Sequence, residues 1–375
     1  MYKNNTEVLA RLAEAMKAKN PQKLNMIIGA DGFVDEIVHV VDKRQDFENF
    51  TRITKIEDFG NRIARAAGLS TNLELVVALT KLGGNGPILS NALIEYGVGL
   101  TYVGALGNPN INPVFEPMAK RCKVYSLCEP GHTDAVEFTD GKVMLGKHSM
   151  LKEITWSRFM QVVGSPAEIA GMINACDLFG MENWTMIPHM SAIWRGLIDE
   201  VFPLIGGRRP IAFFDLADPE KRTKADILDA LELIGKFESK FDTVLGLNEK
   251  ELYEVAEVYG IAEKSGADRL AATTADVYGR LGIGCLVVHP TKEAICVAGG
   301  EYYQQDGPYC ASPALTTGAG DNFNAGFCLG RALGLDPQLS LALGVSTSGY
   351  YVRNAKSPTA EALLEFVGKW AEGKI

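Results

Sequence analysis

TTGAGDNFNAGF, residues 316–327, sets small residues and an acid in front of a helical run, and its reading decides which fold to expect. Pro313-Ala314-Leu315 leads in, Gly318-Ala319-Gly320 turns the chain with almost no side chain in the way, and Phe323, Phe327 and Leu333 mark the buried stripe of the following helix. A helix N-terminus reached through such a turn is an anion site. Its first backbone N–H groups lack intrahelical partners, the dipole favours negative charge, and glycine lets a phosphate approach closely. Asp321 stands where a bound phosphate would repel it. The carboxylate therefore either caps the helix or acts on something beside the phosphate. Phosphoryl transfer reconciles the two charges. In a loose transition state the base has only to orient a hydroxyl and accept its proton late, which a carboxylate of low pKa can do.

Outward from this turn, short β-rich runs alternate with longer helical ones: 24–29, 101–107, 177–181, 211–216, 242–247 and 285–289. That alternation predicts an α/β fold, a doubly wound and mostly parallel sheet flanked by helices. Ser165-Pro166, Asp336-Pro337 and Ser357-Pro358-Thr359 mark helix starts. Two stretches break the rhythm: a polar segment within about 36–75, and a hairpin within about 130–150 turning at Asp140-Gly141. Both are expected to form a small β cover on one domain, 24–375, preceded by a helical extension, 1–23.

A chain of 375 residues with 47% hydrophobic content buries one large core, and a net charge of −9 without a basic, aromatic-rich stretch argues against nucleic-acid or anionic-membrane partners. No signal peptide or membrane span is evident, so the cytoplasm is the expected location. The seven scattered cysteines read as reduced core residues, and the five histidines show no metal spacing. GKVMLGKH, 141–148, matches a phosphate-loop spacing, but its interior is a β-strand run and His148 replaces the required hydroxyl. GAGDNF lacks the third glycine of a dinucleotide fingerprint.

TTGAGDNFNAGF resembles the C-terminal signature of the ribokinase (PfkB-type) family of carbohydrate kinases, and other segments follow in that family's order. IIGADGFVDEIV resembles its first strand and the acid after it, which implies that Asp35 grips sugar hydroxyls. LGGNGPILSNALIEYG resembles its Gly-Gly motif and implies sugar contacts from Gly83, Gly84 and Asn85. VLGLNEKELYEV resembles its N-x-x-E element, with Asn248 and Glu251 facing phosphate and Mg²⁺; the same spacing is also a capping box. Glu182, at a strand end, is a further sugar candidate, and the adjacent Trp184 could stack on a ring.

The resemblance implies transfer of the γ-phosphate of ATP to a sugar hydroxyl. Asp321 would be the base, Gly318, Ala319 and Gly320 the anion hole, Thr316, Thr317 and Lys292 nucleotide contacts, and Glu251 the Mg²⁺ contact. The cover would be a lid, and its open edge invites a homodimer. Four positions depart from the family pattern. Leu315 replaces the usual leading Asp, which argues against a monovalent cation; Ile88 replaces an amide that often touches the sugar; Lys292 and Glu293 stand where glycine is common. These departures keep two alternatives open, a catalytically weak sugar- or nucleotide-binding regulator on the same fold, or a nucleoside kinase.

Overall fold

The computed structural model describes residues 5–375. Its strands, in chain order, are β1 (Asn25–Ala30), β2 (Phe33–Arg44), β3 (Phe50–Arg52), β4 (Leu75–Gly83), β5 (Gly99–Gly104), β6 (Lys123–Ser126), β7 (Gly131–Phe138), β8 (Gly141–Lys147), β9 (Leu178–Met181), β10 (Ile211–Asp215), β11 (Asp242–Leu247), β12 (Cys285–Val288), β13 (Glu293–Ala298) and β14 (Glu301–Asp306). Nine of them form the main sheet, in the order β14-β13-β12-β11-β10-β9-β1-β5-β6. From β6 to β12 every pairing is parallel, as the alternation of strand and helix requires. Such strands are buried on both faces. Phe213 joins the core on one side of the sheet and its neighbour Phe214 the core on the other, the period-two alternation of an extended chain.

β13 and β14 add an antiparallel hairpin to the edge, where the sequence suggests only a nucleotide contact at Lys292. Its two-residue turn, Gly299-Gly300, has positive φ at both positions (59° and 82°), a primed turn that glycine adopts without strain.

The second sheet is small. β2 runs parallel to β7 and antiparallel to β4 on its other side, β8 pairs with β7, and β3 continues along the distal end of β2. It includes the apolar strand β4, which the polar reading of 36–75 stops short of. The hairpin loop is Thr139-Asp140, one residue earlier than the expected turn, because Gly141 already pairs with Phe138. The Asp140 carboxylate then accepts the Ile56 N–H at 3.1 Å and starts the Ile56–Ala64 helix. That helix and the sheet close a minor core of Val38, Val40, Phe59, Val136 and Phe138.

At the N-terminus, residues 5–18 of the expected extension form a helix that buries Val8, Leu9, Leu12 and Met16 against the 337–354 and 360–371 helices; residues 1–4 lie outside the described residues. All seven cysteines are free thiols. No helix among the described residues is long and apolar enough to cross a membrane.

Candidate active site

The C-terminal ends of the parallel strands deliver a set of acids to one place, as open α/β sheets do. Asp31 follows β1, Glu182 follows β9, Asp215 ends β10, Glu251 lies in the first turn of the Glu249–Val258 helix after β11, and Asp321 lies in the first turn of the Ala319–Ala332 helix. All are buried.

Gly318 caps the Asp321 helix with φ of 92°, and a Cβ there would come 2.9 Å from Tyr351 Oη. Both constraints require glycine. Its carbonyl accepts the Asn322 N–H at 3.0 Å and the Asn322 side-chain amide at 2.9 Å, which holds the turn in place. Asp321 is 8% exposed and accepts one hydrogen bond from Asn85 Nδ2 at 2.9 Å. Its carboxyl is pushed up to about 8, first by burial and then by the charge of Asp31; the Asn85 bond opposes this, and Glu251 adds to it. The low pKa expected from the helix terminus is therefore overturned. Desolvation outweighs the dipole once a carboxylate leaves water.

Asp31 is a residue that sequence reasoning missed. It is fully buried, and its carboxylate accepts Asn85 N at 3.0 Å, Gly86 N at 2.9 Å and Asn183 Nδ2 at 2.7 Å. It thus satisfies the first free N–H groups of the Asn85–Glu95 helix from outside that helix. Burial raises its carboxyl to about 6 against those three bonds. The signal is present in IIGADGF, where an acid follows directly on an apolar strand.

Gly83 and Gly84 are needed for the same close approach. A Cβ on Gly83 would lie 2.2 Å from Asp35 Oδ2, and one on Gly84, at φ of 99°, would lie 2.9 Å from Asp31 Oδ2. Asp35 sits on β2 opposite Lys81 of β4 and Thr133 of β7, so the structure brings Asp35, Gly83, Gly84 and Asn85 to the same turn. Burial raises the Asp35 carboxyl, opposed by the Lys81 charge, a Thr133 hydrogen bond and His132.

Asn248 and Glu251 form the reciprocal capping box: Asn248 Oδ1 accepts Glu251 N at 3.0 Å and Glu251 Oε2 accepts Asn248 N at 2.8 Å. Glu251 Oε1 also accepts Asp218 N at 2.9 Å, and burial raises its carboxyl in spite of those bonds. Asp215 is raised well above the usual carboxylate range by burial, then by Glu251 and Asp321, while Asn324 Nδ2 donates to it at 2.9 Å. Glu182 is 0% exposed and neither oxygen has a hydrogen-bond partner. Burial, then the charges of Asp215, Asp321 and Asp31, raise its carboxyl well above the usual range. The Asn324 side-chain oxygen is likewise buried and unpartnered. The donors here are all oxygens, the type that suits Mg²⁺, but among the described residues no three of these carboxylates bring ligand atoms within 4.8 Å of one another.

Trp184 does not present a free ring to a sugar. It is buried, and the Arg222 guanidinium lies 4.8 Å from its ring centroid while donating to the carbonyls of Trp184, Thr185 and Ile187. Beside the Asp321 turn opens a cavity of about 310 Å³ lined by His289, Thr291, Tyr309, Thr316, Phe323 and Val352, among others. The His289 ring lies against Phe323, centroids 4.9 Å apart, and burial pulls it down to about 4, so it is neutral. Of the expected nucleotide contacts only Thr316 lines this cavity. The Thr317 carbonyl accepts the Tyr351 hydroxyl at 2.8 Å, and the Lys292 ammonium lies 5.3 Å from the Tyr309 ring centroid.

Solved structures share the fold: an Arabidopsis thaliana ribokinase complexed with ribose and ATP is 15% identical with a TM-score of 0.59, covering 93% of this chain and 99% of its own. An Escherichia coli structure in complex with ATP and Mg²⁺ is 14% identical with a TM-score of 0.60, covering 92% and 99%. The model of the family described as prokaryotic ketohexokinase matches residues 4–370, and the chain belongs to that family. A ketohexokinase from Haloferax volcanii is 27% identical over 372 residues, 98% of this chain and 97% of the relative. The family and the relative it matches make this chain a carbohydrate kinase, a phosphotransferase with an alcohol group as acceptor.

Proposed function

We propose that this sugar kinase transfers the γ-phosphoryl group of ATP to a hydroxyl of a ketohexose, with Asp321 as the base. The observation that carries the reading is the position of Asp321: buried at a helix N-terminus, bonded to Asn85 of the Gly-Gly turn on one side and next to the 310 Å³ cavity on the other. The ketohexose acceptor is taken from the name of the Haloferax relative.

Asp35, Gly83, Gly84, Asn85 and Glu182 bind the sugar. The adenine nucleotide fills the cavity beside Thr316, with Thr317 and Lys292 at its margin. As the acceptor oxygen forms its bond to the γ-phosphorus, its proton passes to an Asp321 oxygen, the bond to the β–γ bridging oxygen breaks and ADP leaves. The backbone N–H groups of Gly318 and Gly320 receive the charge on the transferring group, while that of Ala319 donates to the Thr316 carbonyl at 3.0 Å and holds the turn. Mg²⁺ would be held by Asp215 and Glu251, with Asn248 steadying Glu251, and would neutralise the nucleotide phosphates. The small sheet acts as the lid that excludes water. We place the enzyme in the cytoplasm, where ATP is made. It works as a homodimer through the open edge of β4, whose Leu75, Val77 and Leu79 are 39%, 48% and 56% exposed.

ADP release across ketohexoses, aldohexoses, pentoses and nucleosides, with Asp321→Asn alongside, tests this. Turnover on a ketohexose that collapses in the variant is expected. Turnover on nucleosides alone would replace the substrate, and silence across the whole panel would leave the regulator reading.

A further inference from the structure

A second cavity, about 370 Å³, lies across the Leu315–Gly318 turn from the nucleotide cavity and shares no lining residue with it. Three parts of the molecule wall it. Lys81 and Leu82 come from β4 of the small sheet, Ile88, Asn91 and Glu95 from the Asn85–Glu95 helix, and Tyr351, Lys356 and Ser357 from the end of the 337–354 helix and the loop after it. Leu315 and Ala355 complete the lining.

Its charges are unequal. Among the described residues neither Lys81 nor Lys356 forms an ion pair or a hydrogen bond, whereas Glu95, the acid of the lining, is engaged by Arg121. The other charges that reach Lys81 are Asp35 and Asp321 on its active-site side and Lys142 on the small sheet. Lys81 is also half-buried, so its ammonium has lost water without gaining a bonded partner. The two remaining hydroxyls are committed: Tyr351 donates to the Thr317 carbonyl and Ser357 to Asn322 Oδ1. Each therefore presents only an acceptor to the cavity, and the free donors are the two ammoniums and the Asn91 amide. Leu82, Ile88, Leu315 and Ala355 supply an apolar floor.

Two unpaired cations over an apolar floor match a small dianion on a short carbon skeleton. We infer that this cavity binds a phosphate monoester, held between Lys81 of the small sheet and Lys356 of the main body. Occupancy ties the two sheets together and draws the Lys81 ammonium away from Asp35 and Asp321, so the ligand regulates turnover without entering the nucleotide cavity. The cavity adjoins the phosphoryl-transfer machinery through Lys81, Leu315, Tyr351 and Ser357, but Lys356 itself touches none of it.

The test is equilibrium binding of inorganic phosphate and of glycerol 3-phosphate, at constant ionic strength, with the nucleotide cavity filled by a saturating non-hydrolysable ATP analogue and Mg²⁺. The ester is expected to bind more tightly than free phosphate. Lys356→Met should weaken it about tenfold while leaving basal ADP release unchanged, and Lys356→Arg should restore it. Equal affinity for ester and free phosphate would overturn the match to the apolar floor. Undiminished binding by Lys356→Met, or no binding by the wild type, would overturn the site. Turnover on a sugar is measured separately in the same preparation, so failure of this inference is distinguishable from failure of the kinase assignment.

Discussion

Asn85 Nδ2, at the head of one helix, donates to Asp321 Oδ1, at the head of another, across 2.9 Å. Residues 236 positions apart are joined at the two turns where glycine lets the backbone come closest, and the same Asn85 gives its backbone N–H to Asp31. The amide therefore links the Gly83-Gly84 turn to the acid of the Gly318 turn.

Asn85→Ala should displace the pH–rate profile. Asp321 titrates at about 8 with the Asn85 bond holding it down, and only the ionised carboxylate can accept the hydroxyl proton. Without the bond the pKa rises further, so the acidic limb of kcat against pH moves upward. The rate at neutral pH then falls about tenfold for every whole step of pH by which that limb moves. A profile with an unmoved acidic limb would show that Asn85 does not set the base.

Asp321→Asn should lose about 10²–10⁴ in kcat while gaining stability. The carboxyl titrates at 3.8 when unfolded and about 8 when folded, so the folded state prefers it protonated. Its contribution is fully present below 3.8 and is lost as pH rises towards 8, where a buried anion must be held. The amide cannot ionise and still accepts from Asn85. Melting curves should give a Tm advantage for the variant that is absent near pH 4 and largest above pH 8.

Asp31→Ala should cost about 2–4 kcal/mol in urea denaturation, because it strands the Asn85 and Gly86 N–H groups and the Asn183 amide in a dry site. Asn85 would lose its anchor with them, so kcat should fall as well. Asp35→Ala, which removes no helix anchor, should instead raise the sugar KM with a smaller loss of stability.

These residues also mark how far the sequence can be read. The Asp321 turn is legible because its determinants are local: glycines, an acid and a helical stripe within twelve positions. The parallel sheet is legible for the same reason, run by run. Asp31 and the pKa of Asp321 are not, since both depend on burial and on partners that arrive from distant segments. The motif around the first strand points to Asp35, although Asp31 carries the hydrogen bonds. β4 escapes notice because it follows directly on a polar, turn-rich stretch, 68–74, with which it is read, and the β13–β14 hairpin because its first strand reads as a loop. Lys292 and Thr317 follow from position in a motif, and position along the chain does not place them in the cavity wall.

Glu251 has two tasks that substitution should separate. Its oxygens receive the Asn248 and Asp218 N–H groups, and its charge faces Asp215. Glu251→Gln keeps one acceptor, for the Asn248 cap, but turns its NH₂ towards the Asp218 N–H and loses the charge, so it should raise the Mg²⁺ concentration for half-maximal ADP release about tenfold and cost about 1 kcal/mol in urea denaturation. Glu251→Ala removes both and should add about 1–2 kcal/mol of destabilisation. Equal Mg²⁺ dependence in Gln variant and wild type would confine Glu251 to the cap.

The β4 edge makes the last prediction. Among the described residues β4 pairs only with β2, leaving a row of backbone donors and acceptors open on its far side, and Leu75, Val77 and Leu79 expose 39%, 48% and 56% of their surface there. Edges of this kind pair with another chain unless charge or proline blocks them, and the run 75–80 carries neither. Lys81, the first charge, comes only where the strand turns in towards Asp35. A second copy supplies a matching edge and matching apolar side chains, so one two-fold contact covers both. Val77→Lys places a charge in that contact without touching the catalytic acids. Sedimentation should give a dimer for the wild type and a monomer for the variant, with ADP release per chain falling through a raised sugar KM, because the lid loses its support. A wild type that sediments as a monomer at micromolar concentration would remove the dimer.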